Sequence, residues 1–308
     1  MTLFPHPVNS GVRPLSVMTA KLLIAAVLML SISNSVEAQS TSNRKADQLA
    51  GNVRSVRTEQ TWTTKYVESK RVLMTVETYD KRGNKTEWDA YKGNDKPLRS
   101  LFTYDDEGNV IEQIWYNSAD QLTGKTTYTY DSNGLVIKEE SSNGIKIVYA
   151  YDSHGNKTSQ RIFDVAKDEG PRMFGPVEKT VHYTYDRKNH LTEISSYNPN
   201  GSRVWNPALQ AHRITYSYDK QGRIAYQTVF NQNNTIRTTT RYGYDSLGRI
   251  GNELMFTFKD GVTRAYKYSY RVDSTGNWIV QAKLKLVVAK GRRLYVPVET
   301  VYRSFDYY

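Results

Sequence analysis

One motif recurs along this chain and restricts its fold more than any other feature. A strand ends in tyrosine, an aspartate turns the backbone, and a glycine lets it return, as in Tyr128-Thr129-Tyr130-Asp131-Ser132-Asn133-Gly134. Close variants are Phe102-Thr103-Tyr104-Asp105 with Gly108, Tyr149-Ala150-Tyr151-Asp152 with Gly155, Tyr216-Ser217-Tyr218-Asp219 with Gly222, and Tyr242-Gly243-Tyr244-Asp245 with Gly248. Tyr79-Asp80 with Gly83 lacks the first aromatic, Tyr183-Thr184-Tyr185-Asp186 has Asn189 where glycine belongs, and Tyr268-Ser269-Tyr270 continues to Asp273 and Gly276. The second tyrosine falls at 79, 104, 130, 151, 185, 218, 244 and 270, so spacings of 25 or 26 dominate, with one of 21 and two of 34 and 33. A fixed period of this size marks a repeat architecture.

A second set of turns lies at half-period: Tyr91-Lys92-Gly93-Asn94, Tyr116-Asn117-Ser118-Ala119-Asp120, Ser141-Ser142-Asn143-Gly144, Tyr197-Asn198-Pro199-Asn200-Gly201, Phe230-Asn231-Gln232-Asn233-Asn234 and Phe258-Lys259-Asp260-Gly261. Asp and Asn suit such turns because their side chains bond the backbone two residues on, and Gly supplies positive φ at no steric cost. Each period is therefore two short strands and two turns. The segments between are rich in Thr, Tyr, Val and Ile, starting at Leu49–Val56 with alternating apolar and polar residues, as half-buried strands require. The expected fold is all-β: an antiparallel meander of hairpins, curled or partly closed to hide its apolar face. Its edge strands must be capped or covered to prevent pairing with other copies. Because side chains alternate, the two tyrosines of each Tyr-x-Tyr share a face. Repeating them every second strand is expected to build aromatic ladders, each cross-strand pair contributing about 0.2–1 kcal/mol.

The pattern Tyr-x-Tyr-Asp-x-x-Gly-[Asn/Arg]-apolar, as in Tyr242 to Ile250 and Tyr216 to Ile224, resembles the YD (Rhs-type) repeat over roughly residues 75–280. The resemblance implies a sheet of Tyr-Asp hairpins, extracellular or envelope placement, and roles in surface contact or carbohydrate binding. Large members of that family wind the sheet into a hollow shell around a toxin. This chain departs from them: it has few repeats, no Asp-Pro pair of the kind found in the self-cleavage motif, and a last strand, Tyr302–Tyr308, in place of a toxin domain. It is more similar to a short secreted form.

Lys21 precedes an apolar run, Leu22–Leu30, and small residues lead to Val36-Glu37-Ala38, the pattern of a signal peptide. The run is too short for a bilayer span. Met18 would make a tidier start than Met1. The expected organisation is a signal peptide at 1–38, a flexible leader at 39–48 and a single YD-repeat domain at 49–308, secreted, periplasmic or on the outer surface of a bacterium. Removing 1–38 leaves 42−2 = 40 Lys+Arg against 31−1 = 30 Asp+Glu, a net charge of +10. With no cysteine in the chain, disulfides, thiolate nucleophiles and Cys-bound zinc are excluded.

No catalytic, metal or cofactor site is expected. His154 and His190 fall at turn tips, and neither they, His182 nor His212 stand at metal-ligand spacing. Asp105-Asp106-Glu107-Gly108-Asn109 lacks the ligand order of a calcium loop and reads as an Asx turn. There is no Gly-x-Ser-x-Gly elbow and no phosphate loop. The informative irregularity is where the period stretches, at half-period turns extended by Asp164–Pro176 and Asn200–His212. In a meander these turns share one rim, and long loops on a rigid sheet are where binding residues gather. Arg172, Phe174, Arg203, Trp205 and His212 are the candidate binding residues. Either they form an aromatic and cationic patch for sugars or acidic chains, or the loops fold over the sheet and Phe174 and Trp205 cover it. The leading functional expectation is a non-catalytic binder of a polysaccharide or a cell-surface protein. A purely structural envelope module is a second expectation. A third is a binder of nucleic acid or another anionic polymer, using positive charge and tyrosines.

Overall fold

Every Tyr-Asp turn is built the same way. In the computed structural model, which describes residues 43–64, 67–93, 95–164, 177–259 and 261–308, the turn at Asp131 is typical. Its main-chain N–H donates to the Leu135 carbonyl (2.9 Å), Gly134 N–H returns to the Asp131 carbonyl (3.1 Å), and Asp131 Oδ1 accepts from Asn133 and Leu135 N–H. Gly134 sits at φ +76°, a left-handed conformation that glycine adopts without steric cost. Asn189 takes that position in its own repeat at φ 61°, and asparagine is among the few residues that tolerate it.

Among the described residues these turns join nineteen strands behind one helical turn, α1 (Asn43–Ala46). The strands are β1 (Val53–Thr64), β2 (Val67–Glu68), β3 (Val72–Tyr79), β4 (Lys85–Ala90), β5 (Leu98–Tyr104), β6 (Val110–Tyr116) and β7 (Leu122–Tyr130). They continue as β8 (Val136–Ser141), β9 (Ile145–Tyr151), β10 (Lys157–Asp164), β11 (Val177–Tyr185), β12 (Leu191–Tyr197) and β13 (Arg213–Tyr218). The last are β14 (Ile224–Phe230), β15 (Ile236–Tyr244), β16 (Ile250–Thr257), β17 (Val262–Val272), β18 (Trp278–Ala289) and β19 (Arg292–Tyr307). All pairings are antiparallel, and β3 to β19 follow one another as neighbours.

The expectation of a curled or partly closed sheet is corrected here, because the sheet closes completely. β1 pairs with β3 on one side and with β19 on the other, from Val53↔Tyr307 to Trp62↔Glu299, making an 18-strand barrel with β2 outside the ring. Closure supplies partners for the backbone groups that two open edges would expose. The curvature has a local cause. After each Tyr-Asp turn one residue is skipped in the ladder: Tyr130 faces Val136 and Thr129 faces Lys138, leaving Ile137 as a bulge. The same shift recurs at Tyr104, Tyr218 and Tyr244. A bulge bends its strand and increases twist, so each repeat turns the sheet by another step.

The tyrosines hold the repeats together. The second tyrosine of each motif donates its hydroxyl to the first carbonyl after the preceding Tyr-Asp turn, as in Tyr104 to Lys85, Tyr130 to Val110, Tyr218 to Leu191 and Tyr244 to Ile224, at 2.6–2.8 Å. The first tyrosine donates to the residue three further along that strand, as in Tyr128 to Gln113, Tyr183 to Gln160, Tyr242 to Gln227 and Tyr268 to Glu253. Where the first aromatic is Phe102, the matching position is Trp88, so hydroxyl and acceptor are both missing. At Tyr216 the matching residue is Ile194, and the buried hydroxyl has no partner. The intervening strand places cations between tyrosine rings where stacked rings were expected. Lys157 Nζ is 5.1 Å from the Tyr149 ring and 4.8 Å from the Tyr183 ring.

Apolar side chains gather in two separate clusters, one around Val181, Ile194, Ile214 and Val229 and one around Val53, Val56 and Tyr79. The second cluster sits at the β1–β19 seam. Residues 43–48, within the stretch read as a leader, pack there. Asp47 accepts from Tyr79 (2.6 Å) and pairs with Lys85 (3.0 Å), while the buried Arg44 donates to the carbonyls of Val53 and Lys81. Glu77 completes the group with a 2.6 Å contact to Lys85. Charged side chains stand on both faces of the wall. Glu139, Lys157, Glu253 and Lys283 lie directly opposite tyrosines, while Lys138 and Glu193 lie opposite the threonines between them. No helix among the described residues is long and apolar enough to cross a membrane.

Candidate functional site

The two rims of the barrel differ. At the Tyr-Asp rim the turn aspartates spend their oxygens on their own turns. The Asn156 amide holds the Asp152 carboxyl below the usual carboxylate range, and His190 N–H does the same for Asp186. The half-period rim is irregular and carries the 198–212 loop. That loop folds back on the sheet. Val204 N–H donates to Ser196 O, Asn206 and Ala211 bridge each other, and Asn206 Nδ2 donates to the buried Ser196 hydroxyl at 3.0 Å. Leu209 and fully buried Ala211 join the larger apolar cluster.

Both expectations for this loop meet in part. Leu209 and Ala211 cover the sheet, whereas Trp205 stays 40% exposed. The Trp205 ring meets His212 edge-on at 5.4 Å, and the Arg237 guanidinium stands 5.3 Å from it while donating to the Gln210 carbonyl. Burial and the nearby Arg237 charge push the His212 imidazole below its ordinary pKa, and its Nδ1 is buried without a partner. Arg203 turns to the Tyr197 ring, 5.9 Å away, with its Nε also buried and unpartnered. Arg172 and Phe174 lie outside the described residues. The structure thus brings Trp205 and His212 together and places Arg203 against Tyr197.

Beside Tyr197 the wall forms a cleft of about 810 Å³ lined by Arg161, His182, Glu193, Ser195, Tyr197 and Asn198 among others. Sequence reasoning missed it. The signal was alternation: these β10–β12 residues lie on the face opposite the tyrosines. Ser195 donates to Glu193 (3.1 Å), which is paired with Arg213 (2.8 Å), and His182 packs edge-on against Tyr197 at 5.5 Å. A serine nucleophile requires its proton to go to a base held by a third group. Here the hydroxyl faces a carboxylate already neutralised by arginine, an arrangement suited to holding a polar ligand.

Against known proteins, the family model of the Teneurin YD-shell matches residues 22–193, more than half of the 308 residues. The chain belongs to this family. As a YD-shell it also has likenesses among solved structures. A porin-like protein from Bacteroides uniformis is similar at TM-score 0.44 and 12% identity, covering 83% of this chain and 98% of that one. The Tc holotoxin pore of Photorhabdus luminescens is similar at TM-score 0.37 and 17% identity, over 74% of this chain and 14% of that one. No curated protein matches this YD-shell.

Proposed function

We propose that the chain is a non-catalytic shell module of the bacterial envelope or secreted space, and that its half-period rim engages a cell-surface protein or polysaccharide. The asymmetry of the two rims carries this reading. The Tyr-Asp rim satisfies its own polar groups, and the hydroxyls of the Tyr-x-Tyr motifs, Tyr79 and Tyr216 apart, are spent on neighbouring repeats. Apolar groups are exposed at both rims, Leu247 and Val272 at the Tyr-Asp rim, but among the described residues the exposed Trp and Phe side chains all stand at the half-period rim: Trp62, Trp205 and Phe258, beside Leu98 and Leu122. Exposed tryptophan and phenylalanine side chains on one edge of a rigid scaffold mark an interaction site. A protein partner accounts for the aromatic rim. The polysaccharide reading rests on the cleft, where an aromatic ring stands among Arg161, Glu193 and Asn198, the mix of apolar face and polar groups that orients a sugar.

The test is affinity capture from envelope fractions beside a glycan panel, using wild type and the double variant Arg203→Ala/Trp205→Ala. The proposal expects a saturable partner lost in a variant that keeps its far-UV spectrum. No partner in either assay leaves a purely structural module and sinks the recognition rim.

A further inference from the structure

The longest hairpin of the barrel outruns its pairing with both neighbouring strands. β17 accompanies β18 as far as Tyr266↔Lys285, and β1 accompanies β19 only from Glu299 onward. Between these limits β18 and β19 pair only with each other, through Leu286↔Tyr295, Val287↔Leu294, Val288↔Arg293 and Ala289↔Arg292. β18 runs four residues beyond its last β17 pair, about 13 Å at about 3.3 Å per residue, while β17 itself continues to Val262 against β16. Lys290 and Gly291, both at positive φ, close the turn. Val288 is 71% exposed, and Leu294 and Tyr295 are exposed beside it. Lys290, Arg292 and Arg293 surround them and make no ion pair among the described residues.

We infer that this hairpin is a peripheral membrane contact, seating its basic tip on an anionic lipid surface with Val288 and Leu294 in the headgroup layer, while the Tyr295 ring packs on Lys267 of β17 (4.5 Å) behind them. Three observations fit together. The tip bears only positive charge, which complements anionic lipid. Its apolar side chains lie among those cations, where lone exposed valine and leucine gain nothing from water. Its two strands have no ladder partner but each other over these residues, so the tip can seat in the headgroup and acyl boundary, roughly 5–10 Å deep, without unpairing the wall. A nucleic acid would use the cations but leave Val288 and Leu294 idle. A second copy pairing with the free hairpin edges would bring the like charges of two tips together.

Flotation of the full chain with vesicles tests this. Wild type is expected to float with phosphatidylcholine mixed with phosphatidylglycerol and not with phosphatidylcholine alone. Arg292→Glu/Arg293→Glu is expected to weaken binding about twentyfold, and Val288→Ser/Leu294→Ser about tenfold. Arg187→Glu/Lys188→Glu, on exposed positions of the opposite rim, is expected to change nothing. All the substituted tip residues are exposed, and circular dichroism checks that the barrel persists. The assignment fails if wild type ignores anionic vesicles, or if the opposite-rim variant loses as much as the tip variant. It also fails if the tip variants change self-association or nucleic-acid binding and leave flotation intact.

Discussion

Two tyrosines at equivalent positions in successive repeats should respond oppositely to losing a hydroxyl. Tyr242 donates to Gln227 at 2.8 Å, and Gln227 is itself buried. Tyr242→Phe removes a hydrogen bond of about 0.5–1.5 kcal/mol and leaves the Gln227 oxygen short of a donor, a loss that can reach about 3 kcal/mol. Tyr216 is 7% exposed, its hydroxyl has no partner, and Ile194 stands where the other repeats supply Gln or Glu. Tyr216→Phe removes a buried polar group at almost constant volume, so it should be neutral or stabilising by up to about 1 kcal/mol. The difference between the variants is therefore at least about 0.5 kcal/mol and can reach about 4 kcal/mol. Urea unfolding followed by far-UV circular dichroism measures it. Ile194→Gln supplies the missing acceptor and should reverse the order, making Tyr216→Phe costly in that background. Equal destabilisation by Tyr216→Phe and Tyr242→Phe would refute the role given to the hydroxyl ladder.

Further outcomes follow from the turns and the tyrosines. Gly248 sits at φ +78° with nothing within 4 Å of an added Cβ, so Gly248→Ala should cost about 1–2 kcal/mol of pure backbone strain, read as a shift in urea midpoint. Asp152 and Asp186 have depressed pKa values in the folded chain. Their contribution is present above the ordinary carboxylate pKa of about 4 and is lost as pH falls through the lower folded values, so the urea midpoint should drop below pH 4 and less so in Asp152→Asn. Burial raises Tyr130, Tyr151 and Tyr218 from 10.0 to about 12. Their contribution is whole below 10 and is lost as pH rises toward 12, so alkaline unfolding should track tyrosinate absorbance.

The strands and the shared rim were legible because they depend on local chemistry. Asp-x-x-Gly fixes a turn wherever it occurs, and alternation fixes which side chains share a face. Closure was not legible, since the bulges at Ile137 and its counterparts look like ordinary strand residues and the Val53↔Tyr307 register joins the first strand to the last. The docked turn at 43–48 was missed for a similar reason: Asp47 is polar leader by composition and acquires its partners Tyr79 and Lys85 only in the assembled seam. The Tyr216–Ile194 mismatch, by contrast, was present in the aligned repeats. Of the candidate residues, Trp205 and His212 share a loop, and their contact follows from that loop folding back; Arg237 joins them from β15, a neighbour that the spacing of the motif does not reveal.

Closure of the barrel is tested most directly by a disulfide across the β1–β19 seam. Gln60 and Val301 face each other in that ladder, where antiparallel Cα atoms lie about 4.5–5.5 Å apart, within disulfide reach. The chain has no other cysteine, so Gln60→Cys/Val301→Cys can form one crosslink only. The closed barrel predicts an intramolecular disulfide in the monomer under mild oxidation, with raised resistance to urea. Free thiols, or crosslinks only between molecules, would contradict it.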